Sequence, residues 1–204
     1  SFVDSFDSSS QEGTPTGLAF NNDGTKMFVV GFSSDAVNEY ALSTAFDVST
    51  SSFVDAFSTS SQDGRATGIA FNNDGTKMFL TGYDGDDVNE YTLSTGFDVS
   101  TASFVDSFSV SSQEDSPSDL AFNSDGTKMF VVGVTGDDIN EYTLSTGFDV
   151  STASYDSNFS VASQDTEPTG LTFSTDGKKM FVIGNTGNDV NEYTLSTGFD
   201  VSTA

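Results

Sequence analysis

Apolar residues along this chain come in short runs, and none of them recurs with the 3.6-residue period of a helix. Residues 103–153 show the pattern clearly. Phe104-Val105-Asp106-Ser107-Phe108 is a first β-prone run. Asp119-Leu120-Ala121-Phe122 is apolar at alternate positions with a small residue between. Lys128-Met129-Phe130-Val131-Val132 is apolar after its first residue, as a strand covered on both faces should be. Ile139-Asn140-Glu141-Tyr142-Thr143-Leu144 completes the set, so the stretch predicts four strands. Between the second and third lies Asn123-Ser124-Asp125-Gly126-Thr127, a tight-hairpin signal in which Gly126 takes the left-handed conformation without steric cost.

This phrase is written four times. FNNDGTKMF begins at Phe20 and again at Phe71, FNSDGTKMF at Phe122 and FSTDGKKMF at Phe173. The units 1–51, 52–102, 103–153 and 154–204 fill the chain and read as one domain. Four antiparallel strands per unit of about 50 residues, in tandem, predict the blades of an all-β, four-bladed β-propeller. An open solenoid would need atypical capping units, and the first and last units here are as regular as the middle two.

The chain opens on the strand-like Ser1-Phe2-Val3-Asp4-Ser5-Phe6 and stops at Thr203-Ala204, where the next such run would begin. The expectation is that this N-terminal strand pairs with the last blade and closes the ring, removing an unpaired edge. Gly17, Gly68 and Gly170 beside the inner strands favour a tight four-bladed ring in one chain; Asp119 stands at that position in unit three. An eight-bladed ring shared by two chains is the alternative, so a monomer is expected and a homodimer kept open.

Composition narrows the function classes. There are 31 acids against six bases, a net charge of −25, which lacks the basic footprint of a nucleic-acid binder. No apolar run approaches the roughly 18 residues of a spanning helix, so no membrane insertion is expected. Neither cysteine nor histidine occurs. Twenty phenylalanines, Phe2, Phe6, Phe20, Phe28 and Phe46 with their copies foremost, supply the core between blades. A surface rich in Ser, Thr, Asp, Asn and Gly points to an extracellular or cell-surface protein. The lack of an initiating Met suggests a processed form or an excised segment.

Three stretches resemble the surface-layer, YVTN-type propeller repeat of the lactonase-like and NHL-like group: Phe79-Leu80-Thr81-Gly82, Asp87-Val88-Asn89-Glu90-Tyr91, and Pro117 to Phe130. The likeness covers all four units and implies a propeller. It implies less about activity, since such propellers serve as lactonase-like enzymes, sensors and adhesive modules. The Phe-rich strands and the FDVSTA connector (Phe148 to Ala153) depart from that pattern.

Two segments differ most between units. One is SSSQEGTPT, TSSQDGRAT, VSSQEDSPS and VASQDTEPT; the other is GFSSDA, GYDGDD, GVTGDD and GNTGND. The resemblance implies that both emerge on one face of the disc, where variation over a fixed scaffold suits binding. That face is expected to be acidic, with Glu12, Asp63, Glu114 and Asp165 in the first segment and Asp35, Asp86, Asp87, Asp137, Asp138 and Asp189 in the second. Hard cations take such oxygens, so calcium is a candidate at Asp86, Asp87, Asp137 and Asp138 or on the central axis, although no cofactor is required. Phe32 and Tyr83 are candidates for stacking on a sugar ring. Asp23, Asp74, Asp125 and Asp176 are turn residues, since calcium-loop spacing is absent, and the recurring Asn-Glu-Tyr of the fourth strand fits packing.

Catalysis needs an asymmetric set of base, nucleophile or metal. Here the carboxylates mostly come in fourfold copies, so no catalytic residue is named. A binding module for a carbohydrate or protein ligand is the leading expectation. A lactonase- or glycosidase-like hydrolase and a structural spacer of a larger surface protein are the alternatives.

Overall fold

The computed structural model describes residues 2–204 and is an all-β, four-bladed β-propeller. Blade 1 comprises β1 (Pro15–Phe20), β2 (Lys26–Gly31), β3 (Ala36–Leu42) and β4 (Ser51–Ser58). Blade 2 comprises β5 (Ala66–Phe71), β6 (Lys77–Gly82), β7 (Asp87–Leu93) and β8 (Ala102–Ser109). Blade 3 runs through β9 (Pro117–Phe122), β10 (Lys128–Gly133), β11 (Asp138–Leu144) and β12 (Ala153–Ser160), and blade 4 through β13 (Pro168–Phe173), β14 (Lys179–Gly184) and β15 (Val190–Thr194). Each blade is an antiparallel meander whose first strand lies innermost, and β1, β5, β9 and β13 succeed one another about the axis.

The hairpin expectation holds in atomic detail. In unit three Asp125 Oδ1 accepts from the Thr127 N–H at 3.0 Å, and Gly126 sits at φ +71°. The connector then folds back over this turn. Phe148 takes φ +58°, its N–H donates to Gly126 O at 3.0 Å, and its ring occupies the space where a Gly126 side chain would stand. A left-handed phenylalanine costs roughly 1–2 kcal/mol. Tilted packing on Phe122, with ring centroids 5.4 Å apart, offsets that cost. Phe46, Phe97 and Phe199 repeat the arrangement. The FDVSTA connector is therefore a latch on its own blade's hairpin turn.

Blades pack through a repeated seam. Phe79 and Val88 of blade 2 lie against Leu120, Met129, Val131 and Tyr142 of blade 3, and all six are buried. The Asn-Glu-Tyr motif stitches the same seam. Glu90 is buried, pairs with Lys77 at 2.7 Å, and accepts from the Val150 N–H of the next connector at 3.0 Å, while Lys77 donates to Phe148 O. Glu39 meets Val99, and Glu141 meets Val201, in the same way.

Two expectations require correction. The N-terminal run does not pair with the last blade: residues 2–7 carry no strand, and blade 4 has three strands with β15 at its edge. Instead Phe6 packs edge-on against Tyr40 of blade 1 at 5.0 Å, as Phe57 packs on Tyr91 one blade later. The run is held by the blade that follows it, and among the described residues no packed seam brings β15 alongside. Nor are all the phenylalanines core residues. Phe2 is 83% exposed, and Phe53 and Phe104 lie half-covered on the outer strands, each meeting a buried tyrosine with its edge.

Candidate functional site

Each inner strand carries a hydroxyl residue at its second position: Thr16, Thr67, Ser118 and Thr169. Thr16 Oγ1 donates to Ala66 O at 2.9 Å, Thr67 Oγ1 to Pro117 O at 2.8 Å, and Ser118 Oγ to Pro168 O at 3.0 Å. These bonds fix the relative height of successive blades around the axis. Together with Pro15, Thr169 and Ile183, the three residues line a cavity of about 320 Å³ at one end of the axis. The rim is completed by Phe32, Tyr83 and Asn185 from the loops after β2, β6 and β14. The structure thus brings Phe32 and Tyr83 together, with ring centroids 5.5 Å apart and planes tilted by 38°. Arg65 lies 5.7 Å from the Tyr83 centroid and is held there by an ion pair with Asp84 at 2.7 Å. Phe32 and Tyr83 are half-buried, so part of each ring faces solvent.

The candidate acids do not join this site. Asp35, Asp86 and Asp137 occupy left-handed turn positions at φ +49° to +52°, and their carbonyls accept from the Thr59, Val110 and Val161 N–H groups that end the outer strands. Asp87 accepts from Asn89 at 2.7 Å, Asp138 from Asn140 at 2.8 Å and also from Asn158, and Asp189 from Asn191 at 3.0 Å. Burial pushes the Asp87 and Asp138 carboxyls up, and burial with neighbouring Asp115, Asp63 and Asp84 does the same to Asp86. Among the described residues no group of three or more Asp or Glu side chains is placed to share a cation.

The first acidic set is the larger surprise. Glu12, Asp63, Glu114 and Asp165, expected on a solvated rim, are buried. Glu114 accepts from the Ser116, Thr135 and Gly136 N–H groups at 2.8, 3.0 and 2.9 Å. One carboxylate thereby pins both variable loops of its blade. Glu12 does the same with Thr14, Ser33 and Ser34, and these bonds outweigh burial to hold its carboxyl below the ordinary glutamate value. The close approach explains a recurring glycine, because a side chain at Gly133 would overlap the Glu114 carboxylate. The only sequence signal for this role was an acid in the same place in every unit.

Asp119 was also passed over. It replaces the inner-strand glycine of the other units, and its carboxylate accepts from the Leu120 N–H at 2.9 Å and the Leu171 N–H at 2.8 Å, bridging blades 3 and 4. Desolvation outweighs those two bonds and pushes its carboxyl up to about 6.

No family model and no curated protein sequence matches the chain. Solved structures do. A Bacteroides uniformis protein provisionally identified as a 6-phosphogluconolactonase is 15% identical with a TM-score of 0.63, over 90% of this chain and 52% of that one. The periplasmic gluconolactonase PpgL of Pseudomonas aeruginosa is 15% identical with a TM-score of 0.60, over 89% and 53%. The Swd1 β-propeller domain from Myceliophteria thermophila is 9% identical with a TM-score of 0.56, over 89% and 54%. The chain therefore spans about half the length of the structures it matches, and at these identities the likeness shows the fold alone.

Proposed function

We propose that this propeller is a non-catalytic binding module, built of surface-layer-type repeats and acting in an extracellular or surface setting. Its axial mouth takes a small polyhydroxylated ligand such as a sugar. The observation that carries this reading is the Phe32–Tyr83 pair standing over a ring of hydroxyls, with the Asn185 amide opposite. Concave sites with aromatic walls and few polar groups suit such ligands. The carboxylate beside the rim, Asp84, is paired with Arg65, and the residues lining the mouth include no carboxylate among the described residues, which argues against a general base there.

A glycan array followed by calorimetric titration tests the reading. Phe32→Ala and Tyr83→Ala should each weaken binding at least tenfold, about 1.4 kcal/mol. Saccharide binding that survives both substitutions, or none at all, rules it out. The gluconolactonase neighbours favour a second reading, lactone hydrolysis at the same mouth. Turnover on a lactone panel, abolished by replacing a single residue of the mouth, would establish it instead.

A further inference from the structure

Three of the seams between blades are complete, and the halves of a fourth lie bare at opposite edges of the chain. On blade 1, Leu18 is 60% exposed, whereas its counterparts Ile69, Leu120 and Leu171 are buried against the preceding blade. On blade 4, Val190 is 65% and Ile183 47% exposed, whereas Val37, Val88 and Ile139, and Val30 and Val132, are buried against the following blade. Each bare half is concave. About 330 Å³ opens over Gly17, Leu18, Met27, Val29 and Val48, and about 260 Å³ over Leu171, Phe181, Ile183 and Val190.

The polar stitches are split in the same way. Lys179 and Glu192 pair with each other in the open and reach no connector, whereas Lys26, Lys77 and Lys128 reach the carbonyls of Phe97, Phe148 and Phe199. Phe46, whose carbonyl is the matching acceptor, is exposed. The Thr169 hydroxyl makes no bond of the kind made by Thr16, Thr67 and Ser118 among the described residues.

We propose that a second copy of this chain occupies both faces. Blade 4 of each copy docks on blade 1 of the other, giving eight blades about one axis with two identical new seams. The occupant follows from complementarity, since three internal seams show that these two surfaces fit each other. A head-to-tail contact closes into a ring when its rotation permits. Lys179 then donates to Phe46 O of the second copy, and Glu192 accepts from the Val48 N–H of the second copy. The mouth residues of both copies face one channel.

Light scattering and native mass spectrometry of the full chain across a dilution series provide the test. The expected mass is twice the 21.5 kDa of one chain. Val190→Asp with Ile183→Glu, and separately Leu18→Glu, should halve it while circular dichroism stays that of the parent. Lys179→Glu, at an exposed position that cannot unfold a blade, should shift the dimer to tenfold higher concentration. A parent mass of 21.5 kDa at every concentration, as closure within one chain would give, overturns the proposal. So does a ladder of higher assemblies, or a dimer indifferent to all three variants.

Discussion

Replacing Glu114 asks whether a buried carboxylate, rather than the loop sequence, sets the shape of the variable face. Glu114→Ala removes three charge-assisted bonds and leaves the Ser116, Thr135 and Gly136 N–H groups facing an empty, buried space. A buried group that loses its partner costs about 1–3 kcal/mol. Three that share one acceptor are not additive, so a total of about 3–5 kcal/mol is expected. For a chain of this size that lowers the Tm by roughly 6–20 °C. Glu114→Gln keeps one carbonyl oxygen, enough for the Ser116 and Thr135 bonds, and sets its NH₂ against the Gly136 N–H. It should cost about 1–3 kcal/mol. The neighbouring Asp115 is exposed, and Asp115→Asn should stay within about 0.5 kcal/mol. Urea melts read by fluorescence, with the m-value unchanged, give the three numbers. If Glu114→Ala lies within 1 kcal/mol of Asp115→Asn, the loops hold themselves and the pin is an onlooker.

Other consequences follow from the same geometry. Burial pushes the Asp119 carboxyl up to about 6, above the ordinary aspartate range, so the folded state holds its proton more tightly than the unfolded chain does. Stability should therefore fall as pH rises from about 4 to 6 and level off above, by up to about 3 kcal/mol. Asp119→Asn should flatten that slope, and an unchanged slope in melts from pH 4 to 8 would count against it. Glu12 and Asp165 run the other way. Their lowered carboxyls contribute stability that is complete above the ordinary carboxylate range and lost on acidification below it, which melts from pH 5 down to pH 2 would show. Glu90→Ala strands Lys77 and the Val150 N–H inside a seam and should cost about 3 kcal/mol or more. Asp84→Asn, which breaks a pair about half exposed on each side, should cost under about 1 kcal/mol by the same denaturant melts. A net charge of −25 repels itself, so the Tm at neutral pH should rise as sodium chloride screens it; a flat response would mean that the acids are already neutralised locally.

What could be read from the sequence was whatever two or three neighbouring residues decide. Asp125-Gly126 dictates its turn through a bond spanning two positions, so the hairpins and the 51-residue blade were visible at once. Phe32 and Tyr83 could be nominated because aromatics in a variable loop are conspicuous. Their meeting depended on equivalent loops of adjacent blades pointing to the axis. Glu114 was misread because two of its three partners lie 21 and 22 positions away, in a loop whose composition gives no hint of a need for an acceptor. An acid beside glycine and serine looks solvated whether or not backbone N–H groups converge on it. The connector was opaque for a related reason. Nothing local requires Phe148 to adopt φ +58°; the vacancy above Gly126 and the packing on Phe122 reward it.

Closure is the extreme case, because it depends on no residue at all but on the rotation from one blade to the next. The missing side chains at Gly17 and Gly68 let inner strands approach, which reads as a tight ring. Yet the same approach occurs at the β9–β13 step with Asp119 in the glycine's place, its carboxylate accepting from the next strand. The step between blades is therefore set by the whole seam, Phe79 and Val88 against Leu120 and Tyr142, more than by the glycine. Enlarging the seam evenly in all units should change the number of blades a ring needs, whereas substituting the glycine should only strain the step it occupies. That difference separates a fold specified by local sequence from one specified by repetition of a surface, and this chain belongs to the second kind.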